Sequence, residues 1–496
     1  MIVPQDQAEK LLELTLAFAQ KVAVKAHEYI GNHDKISGYC KYPILNNPFP
    51  KDNPEFDDLN KDIPFLLYSI PRYELKDFPE DEIQYGAIFN GYGHDKINVI
   101  DVDGFSALYQ FICGSDELKK AFYGDNAADP SNYAIRRFVS EIVERYLYGI
   151  QATKEVPNDL KEKLQPYVIE KLTRYIGDTL KIDIYVPICL ASFQDETIRL
   201  SDHIEIVRIP EAVQKSRKEA CQYESNNEDS VAACATHMIV FHEYCFKNEE
   251  YFSINAATRN YNAYPINDIN IIMAVIRIVT GYSIGYEQIL SRPIDWIDDF
   301  CADLLPLYGA KSHFVNAKEY EKSWLHLPVG YINSEQAQAI QKLYTTITSL
   351  DENKTNGKLF FALKRLNRCM LRDENDDMAI DATIGLESLL AGGTKGEITY
   401  TISNRVPVVF KHEPSDAYKA NECRAIMKKI YNYRSIMVHG GTLKPTDRFY
   451  TINGENVEID RIAVDFLRRT LLFVINNPEY LDAKKFDEYI DSVMTN

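Results

Sequence analysis

Residues 416–441, DAYKANECRAIMKKIYNYRSIMVHGG, contain the clearest helical pattern in the chain. This pattern indicates the fold of the C-terminal region. The pattern is carried by five apolar residues spaced three, four, three and four apart: Cys423, Ile426, Ile430, Tyr433 and Met437. This is the repeat of an amphipathic α-helix. We predict a helix over 416–438 that stops at His439, because Gly440 and Gly441 suit a left-handed helix cap.

Similar apolar stripes recur through the rest of the C-terminal region. They are formed by Ile340, Leu343, Ile347 and Leu350; by Leu359, Leu363, Leu366 and Met370; and by Ile459, Ala463, Phe466, Leu471 and Val474. Another helix is predicted over 378–392, after an acidic turn at 372–377. Several amphipathic helices with short connections indicate an antiparallel bundle. We therefore predict an all-α antiparallel helical bundle over 335–496, with the boundary at 326–335.

The upstream region mixes strand and helix patterns. Helices are predicted over 131–150 and around the apolar run 269–279, which should end at Gly281. Strands are predicted over 97–105, 180–193, 196–210 and 236–246, of which the second and third are expected to pair. Residues 1–330 are thus predicted to be a mixed α/β region, either one unit or two divided near 150–175. The whole chain belongs to the α+β class on this prediction.

The composition excludes several classes of function. The 496-residue chain has a formal net charge of −18, which argues against a protein that coats nucleic acid over its whole surface. The nine cysteines show no framework spacing and no secretory leader is recognised, so reduced thiols and a cytoplasmic location are expected. The longest apolar run is too short to cross a membrane. No phosphate-binding or dinucleotide-binding glycine motif occurs, which disfavours NTP motors and dehydrogenases.

One window of this acidic chain is basic. Residues 358–448 contain 15 Lys and Arg against 11 Asp and Glu, a net of +4, so the remainder must carry −22. Any polyanion site is expected inside this window. Arg365, Arg368 and Arg372 lie at three- and four-residue spacings on a helix face away from the apolar stripe, where they could follow an RNA backbone. A solvated basic face is the alternative interpretation.

Arg434 and His439 have side chains suited to RNA cleavage. A histidine can give and take a proton near neutral pH, and a guanidinium matches phosphate oxygens. The pair suits attack by the 2′-hydroxyl of the RNA itself, with Arg434 offsetting the developing charge. Five residues correspond to about 140° of helix rotation, so the two share a site only if His439 leaves the helix or two copies combine around a two-fold axis. A surface arginine and a capping histidine are the alternative.

Two further sets of residues are candidates for orienting the site or for binding a metal ion. Glu387 lies in line with Ile380 and Ile384 and is a candidate to orient Arg434 or His439; a structural partner for a nearby cation is the alternative. Four residues of zinc-ligand type occur within twelve positions: Cys234, His237, His242 and Cys245. The apolar linker between the two histidines favours an extended strand over a folded knuckle, so neither a metal nor a cofactor is predicted.

The region 335–480 resembles the Apea-like branch of the HEPN families, which are helical domains with an R-x4-6-H signature. The resemblance is carried, in order, by DATIGLESLL (381–390), GEITYTISNRVPVVF (396–410) and YNYRSIMVHGG (431–441). It implies a metal-independent endoribonuclease that works as a homodimer or a higher even oligomer. Arg434 and His439 match the signature positions. Ser435 stands where many members carry Asn or another polar residue directly after the arginine.

The resemblance also implies a role in defence against phage by abortive infection, or as a toxin. We predict that a HEPN-like effector at 335–496 cleaves cellular RNA, with tRNA as a candidate, and that residues 1–330 sense an infection signal and restrain it. A phage component is a candidate trigger, and no membrane association is expected. Two alternatives stay open: a catalytically inactive HEPN adaptor that binds a protein or RNA, and the toxin half of a toxin–antitoxin pair.

Overall fold

A computed structural model describes most of the chain. The described residues are 3–36, 43–45, 73–75, 83–89, 96–124, 128, 130–219, 235–248, 258–300, 302, 304–311, 330–350, 356–372, 374–392, 398–415 and 417–495. Within them the protein is mixed α/β, with many helices and a six-stranded antiparallel sheet. The predicted combination of helices and strands is therefore confirmed. None of the helices described is both long and apolar enough to span a membrane.

Helices dominate the N-terminal region. They are α1 (Gln5–Asn32), α2 (Phe105–Cys113), α3 (Asp116–Tyr123), α4 (Asn132–Gly149) and α5 (Leu160–Ile176). A short antiparallel pair, β1 (Pro43–Leu45) and β2 (Tyr73–Leu75), lies between α1 and α2 in the chain. The apolar faces of the five helices form one buried cluster that runs from 3 to 176. The helix predicted over 131–150 is confirmed by α4.

The strand predicted over 97–105 is wrong. A 3-10 turn occupies Val99–Asp101, and α2 begins directly afterwards at Phe105. Gly104 makes this change of direction with a φ of +107°, and a Cβ at this position would lie 3.1 Å from the ring of Phe18. The alternating apolar residues thus face the helical core from a turn rather than from an extended chain.

The sheet follows α5. Its strands are β3 (Thr179–Ile188), β5 (Thr197–Arg199), β6 (Ile204–Arg208), β7 (His237–Lys247), β8 (Gln288–Ile294) and β9 (Tyr308–Lys311), in the order β5-β6-β7-β3-β8-β9. The strands predicted over 180–193, 196–210 and 236–246 are present, but the first two are not neighbours. The long β7 pairs with β3 on one side and β6 on the other. Strands β7 and β3 are therefore the two central strands of the sheet.

In the described part of the sheet region two longer helices are seen, together with a small parallel pair of strands. Helix α6 spans Glu211–Glu219 and α7 spans Ile266–Thr280; α7 ends as predicted at Gly281, which has a φ of +75°. Strand β4 (Ala191–Phe193) pairs in parallel with β10 (Gly330–Ile332). The predicted boundary segment 326–335 therefore includes a strand that is attached to the sheet region.

Seven longer helices follow. They are α8 (Ser334–Thr348), α9 (Gly357–Cys369), α10 (Asn375–Leu390), α11 (Ile398–His412), α12 (Ala420–Val438), α13 (Ile459–Asn476) and α14 (Ala483–Thr495). The predicted stripes are buried except for Leu350 and Met437, which are partly exposed. Helix α13 packs against α9, α10, α11 and α12. Helix α12 begins four residues later than predicted, because Lys419 is extended and its N–H donates to the Glu422 carboxylate.

A β-hairpin interrupts these helices, so the expectation of an all-α region is wrong at this point. Strands β11 (Phe449–Ile452) and β12 (Glu455–Glu458) follow a one-turn helix at Pro445–Arg448. Asn453 and Gly454 form the turn with φ values of +50° and +88°. An Asn-Gly pair between two strands is the preferred sequence for such a turn.

The apolar core of the sheet continues into that of the C-terminal helices. One buried cluster runs from 180 to 486 and includes α7, which packs against α8, α9 and α13. The N-terminal cluster meets this one through charged groups: Arg174 of α5 donates from Nε to Asp298 Oδ1 at 2.9 Å, and Lys171 donates to the Asp298 carbonyl oxygen. The predicted divisions near 150–175 and at 326–335 remain predictions.

Candidate active site

Two glycines close the C-terminal end of α12. The Gly441 N–H donates to the Ile436 carbonyl oxygen at 2.8 Å and the Gly440 N–H to that of Met437 at 3.1 Å. Gly440 has a φ of +69°. This is the hydrogen-bond pattern of a Schellman cap, and it confirms the left-handed cap predicted from the sequence. The helix therefore ends at Val438 and leaves His439 at its exposed tip.

Arg434 turns from α12 toward α10. Its side chain is 32% exposed, and Nη2 lies 3.9 Å from Glu387 Oε1, which is too far for a hydrogen bond. The Nε atom is buried and has no hydrogen-bond partner among the residues described. The guanidinium is thus partly withdrawn from water while at least one of its donors is unused. Glu387 thus lies near Arg434, and its predicted role in orienting Arg434 or His439 stays a prediction.

Glu387 is bonded instead to a tyrosine that the sequence interpretation missed. The Tyr431 hydroxyl donates to Glu387 Oε1 at 3.1 Å. Burial raises the pKa of Tyr431, and the Glu387 carboxylate raises it further, so the hydroxyl stays protonated and acts as a donor. The three-residue spacing of Tyr431 and Arg434, which puts them on neighbouring positions of one helix face, was the available signal.

His439 makes no hydrogen bond or ion pair with this group within one chain. Its side chain is exposed and makes no hydrogen bond or ion pair within the described ranges. Its backbone N–H donates to the Ser435 carbonyl oxygen at 3.2 Å, and the Ser435 side chain is also exposed. Arg434 faces α10, whereas His439 faces solvent at the helix tip. A single chain therefore presents the two signature side chains in different directions.

The three arginines of α9 and the following turn have different surroundings. Arg365 Nη1 donates to Asp381 Oδ1 at 2.5 Å, and Arg372 Nε donates to Asp381 Oδ2 at 3.2 Å. Arg372 also lies 3.3 Å from Asp377, while Arg368 is exposed. Two of the three cations therefore join the end of α9 to α10 through one buried carboxylate. Their predicted contact with RNA stays a prediction.

The histidines and cysteine of β7 do not converge on one point. His242 Nε2 lies 2.9 Å from Glu205 Oε1, and Nδ1 lies 3.5 Å from Asp183 Oδ1, so the two carboxylates flank opposite nitrogens of the ring. His237 is buried and Cys245 is exposed, and Cys234 lies outside the described residues. In the part of the chain that the structure describes, no three residues of ligand type are grouped to hold a metal ion.

A buried acid lies beside the other tyrosine of the motif. Tyr433 donates its hydroxyl to Asp376, and the carboxylate of Asp460 at the start of α13 is close enough to raise the pKa of Tyr433. Asp460 is 2% exposed. Burial, assisted by Glu458, raises the pKa of Asp460 to about 6. The carboxylate therefore carries an electrostatic cost in the folded protein at neutral pH.

Replacing Asp460 by Asn is expected to stabilise the protein at pH 7.5 by up to about 3 kcal/mol. The unfolded carboxyl ionises near 3.8 and the folded one near 6, so the wild type loses stability as the pH rises between these values. Denaturant unfolding at pH 7.5, 6 and 4 measures the gain, which should shrink to near zero at pH 4. Glu455→Gln on the exposed hairpin is the control. A gain that is the same at every pH would contradict the prediction.

Comparison with known proteins gives no match for this chain. No protein-family model matches the sequence, and neither a curated protein nor a solved structure is significantly similar to it. The resemblance to the HEPN families therefore depends on the order and spacing of the sequence motifs.

Proposed function

We propose that the protein is a metal-independent HEPN endoribonuclease in which Arg434 and His439 cleave RNA. Helices α8 to α14 would form the antiparallel bundle of that family, with α13 packed against α9, α10, α11 and α12. The observation that carries the proposal is the state of Arg434. Its guanidinium is half-buried, lies 3.9 Å from the nearest carboxylate and keeps a buried Nε–H without a partner among the described residues. Such a group is suited to bind a phosphate.

The proposed reaction is an internal transfer within the RNA. The 2′-oxygen of one nucleotide attacks the adjacent phosphorus, a 2′-O–P bond forms, and the P–O5′ bond breaks. The imidazole of His439 transfers one of the two protons, taking that of the 2′-hydroxyl or delivering one to the leaving 5′-oxygen, and water exchanges the other. Arg434 offsets the charge that develops on the phosphate oxygens. The products are a 2′,3′-cyclic phosphate and a 5′-hydroxyl, and the nucleophile is supplied by the substrate.

A second copy of the chain would complete the site. Arg434 and His439 point in different directions within one chain, so we place the His439 of one copy near the Arg434 of the other around a two-fold axis. The exposed side of α12 supports this placement. Its last two turns carry Asn432, Ser435 and the 51% exposed Val438 next to His439, three uncharged residues that a symmetric partner can cover.

The cellular role follows from the same proposal. An RNase active against cellular RNA, tRNA being a candidate, must be restrained until an infection signal arrives. The region 1–330 would supply this restraint in the cytoplasm, and a phage component would be the trigger for abortive infection. The same chemistry would also serve the toxin half of a toxin–antitoxin pair. The different directions of Arg434 and His439 favour one other candidate, an inactive HEPN adaptor.

The chemical form of the RNA ends tests the proposal. Purified protein incubated with total cellular RNA and a phage lysate, which supplies the candidate trigger, should yield 2′,3′-cyclic phosphate or its hydrolysis product on one fragment and a 5′-hydroxyl on the next, beyond the background given by Arg434→Ala. Cleavage should persist in a chelator and stop when the attacking nucleotide is 2′-deoxy. Ends with a 5′-phosphate and a 3′-hydroxyl would refute the mechanism. RNA binding without cleavage, in dimeric and folded protein, would support the adaptor.

A further inference from the structure

We propose that Tyr431 is a positioning residue of this site, because its hydroxyl holds the Glu387 carboxylate in a place where it faces Arg434 without closing onto it. The guanidinium is then kept oriented and yet remains available to a phosphate. The inference rests on the proposed function, since it assigns Arg434 to phosphate binding. Tyr431 itself would not touch the RNA, and its effect would pass entirely through Glu387.

The distances show that Glu387 is hydrogen-bonded to Tyr431 and not to Arg434. Glu387 Oε1 accepts a hydrogen bond from the Tyr431 hydroxyl at 3.1 Å, and the same oxygen lies 3.9 Å from Arg434 Nη2. A bonded guanidinium–carboxylate pair lies about 1 Å closer than this second distance. Glu387 is 23% exposed, so it is only partly compensated by water. The tyrosine hydroxyl therefore supplies a donor that Arg434 would otherwise have to supply.

Loss of the hydroxyl should change the partner of Glu387. A half-buried carboxylate that loses a hydrogen-bond donor replaces it with the nearest donor available. For Glu387 that donor is Arg434, and a small side-chain movement would close the ion pair. A closed pair competes directly with a phosphate for the guanidinium. Deleting the Tyr431 hydroxyl should thus weaken RNA binding without removing any group that contacts RNA.

The helix supplies a matched control two residues away. Tyr433 is also buried, and its hydroxyl also donates to a carboxylate, that of Asp376. This carboxylate is eleven residues from Glu387 along α10, and Tyr433 is also near the Asp460 carboxylate at the start of α13. Tyr431→Phe and Tyr433→Phe therefore remove equivalent hydrogen bonds from one helix. Only the first removal affects the partner of Arg434.

A double-mutant cycle tests the inference. Tyr431→Phe should raise the KM for RNA cleavage roughly tenfold with a smaller change in kcat, and should weaken binding of an uncleavable 2′-deoxy oligonucleotide by a similar factor. In the Glu387→Gln background the same substitution should change either value by less than about twofold, because no carboxylate charge remains to close onto Arg434. Tyr433→Phe should leave both values within about twofold of the wild type.

The outcomes separate this inference from the function on which it rests. A wild type that neither binds nor cleaves RNA when phage lysate is present as the trigger would overturn the proposed function and the inference together. A wild type that cleaves RNA, with Tyr431→Phe unchanged, would overturn the inference alone. So would an effect of Tyr431→Phe that persists in Glu387→Gln, or an equal effect of Tyr433→Phe, since either result would indicate a loss of helix packing rather than positioning.

Discussion

Replacing His439 by alanine is expected to lower the rate of RNA cleavage by about 10²- to 10⁴-fold, which is the range for loss of a general acid or base. The side chain is exposed at the tip of α12 and makes no contact that stabilises the fold in the described residues. Thermal unfolding and dimer formation should therefore stay at wild-type values. The rate is measured on a defined RNA with the products identified by their ends.

The control for this prediction is another exposed residue of the same helix. Lys428→Ala removes a cation from the outer face of α12 and should change the rate only slightly. Arg434→Ala should remove activity as His439→Ala does, whereas Arg434→Lys should recover little of it, because an ammonium cannot offer the planar fork of donors. An active His439→Ala variant would show that the imidazole has no part in the reaction.

Mixing the two inactive variants extends the test to the two-fold arrangement. If each site combines Arg434 from one copy with His439 from the other, heterodimers of Arg434→Ala and His439→Ala contain one intact site. Random mixing should then restore about one quarter of wild-type activity. A site built within one chain would show no recovery. Recovery of activity in the mixed dimers thus tests whether Arg434 of one copy and His439 of the other form one site.

The helices around the candidate site were predictable because the spacing of apolar residues within one segment specifies both a helix and its buried face. The spacing of Cys423, Ile426 and Ile430 fixes the buried face of α12, and the two glycines fix its end. The hairpin at 449–458 was also predictable from its Asn-Gly turn, but the helical signals on both sides masked it. In contrast, the position of β7 between β6 and β3 depends on contacts between distant segments, which no local pattern specifies.

The partners of the functional side chains were harder to predict for the same reason. Glu387 and Tyr431 are 44 residues apart in the chain, and their hydrogen bond exists only because α10 packs against α12. Arg365 lies on α9, but Arg372 lies in the turn that follows it, so the predicted helix face does not include all three arginines. Periodicity does not show that Asp381 on α10 neutralises both. The buried face of a helix can be predicted from its own sequence segment. An ion pair between two helices depends on the sequences of both helices and on how they pack.

The ion cluster of Arg365, Asp381 and Arg372 is expected to stabilise the folded protein. Replacing Asp381 by alanine is expected to destabilise the protein by about 3 kcal/mol, because its carboxylate is 5% exposed and accepts hydrogen bonds from both Arg365 and Arg372. Its loss leaves the 21% exposed Arg365 without its ion-pair partner between α9 and α10. Denaturant unfolding at pH 7.5 measures the change.

Asp377→Ala is the matched control for Asp381→Ala. Asp377 approaches the same Arg372 at 3.3 Å but is 51% exposed, and exposed pairs contribute little, so stability should change by less than about 1 kcal/mol. RNA affinity separates the two roles of these arginines. If they bind RNA, removing Asp381 should free them and tighten binding while stability is retained. If they hold α9 to α10, Asp381→Ala should lose stability and gain no affinity, which is the result we expect.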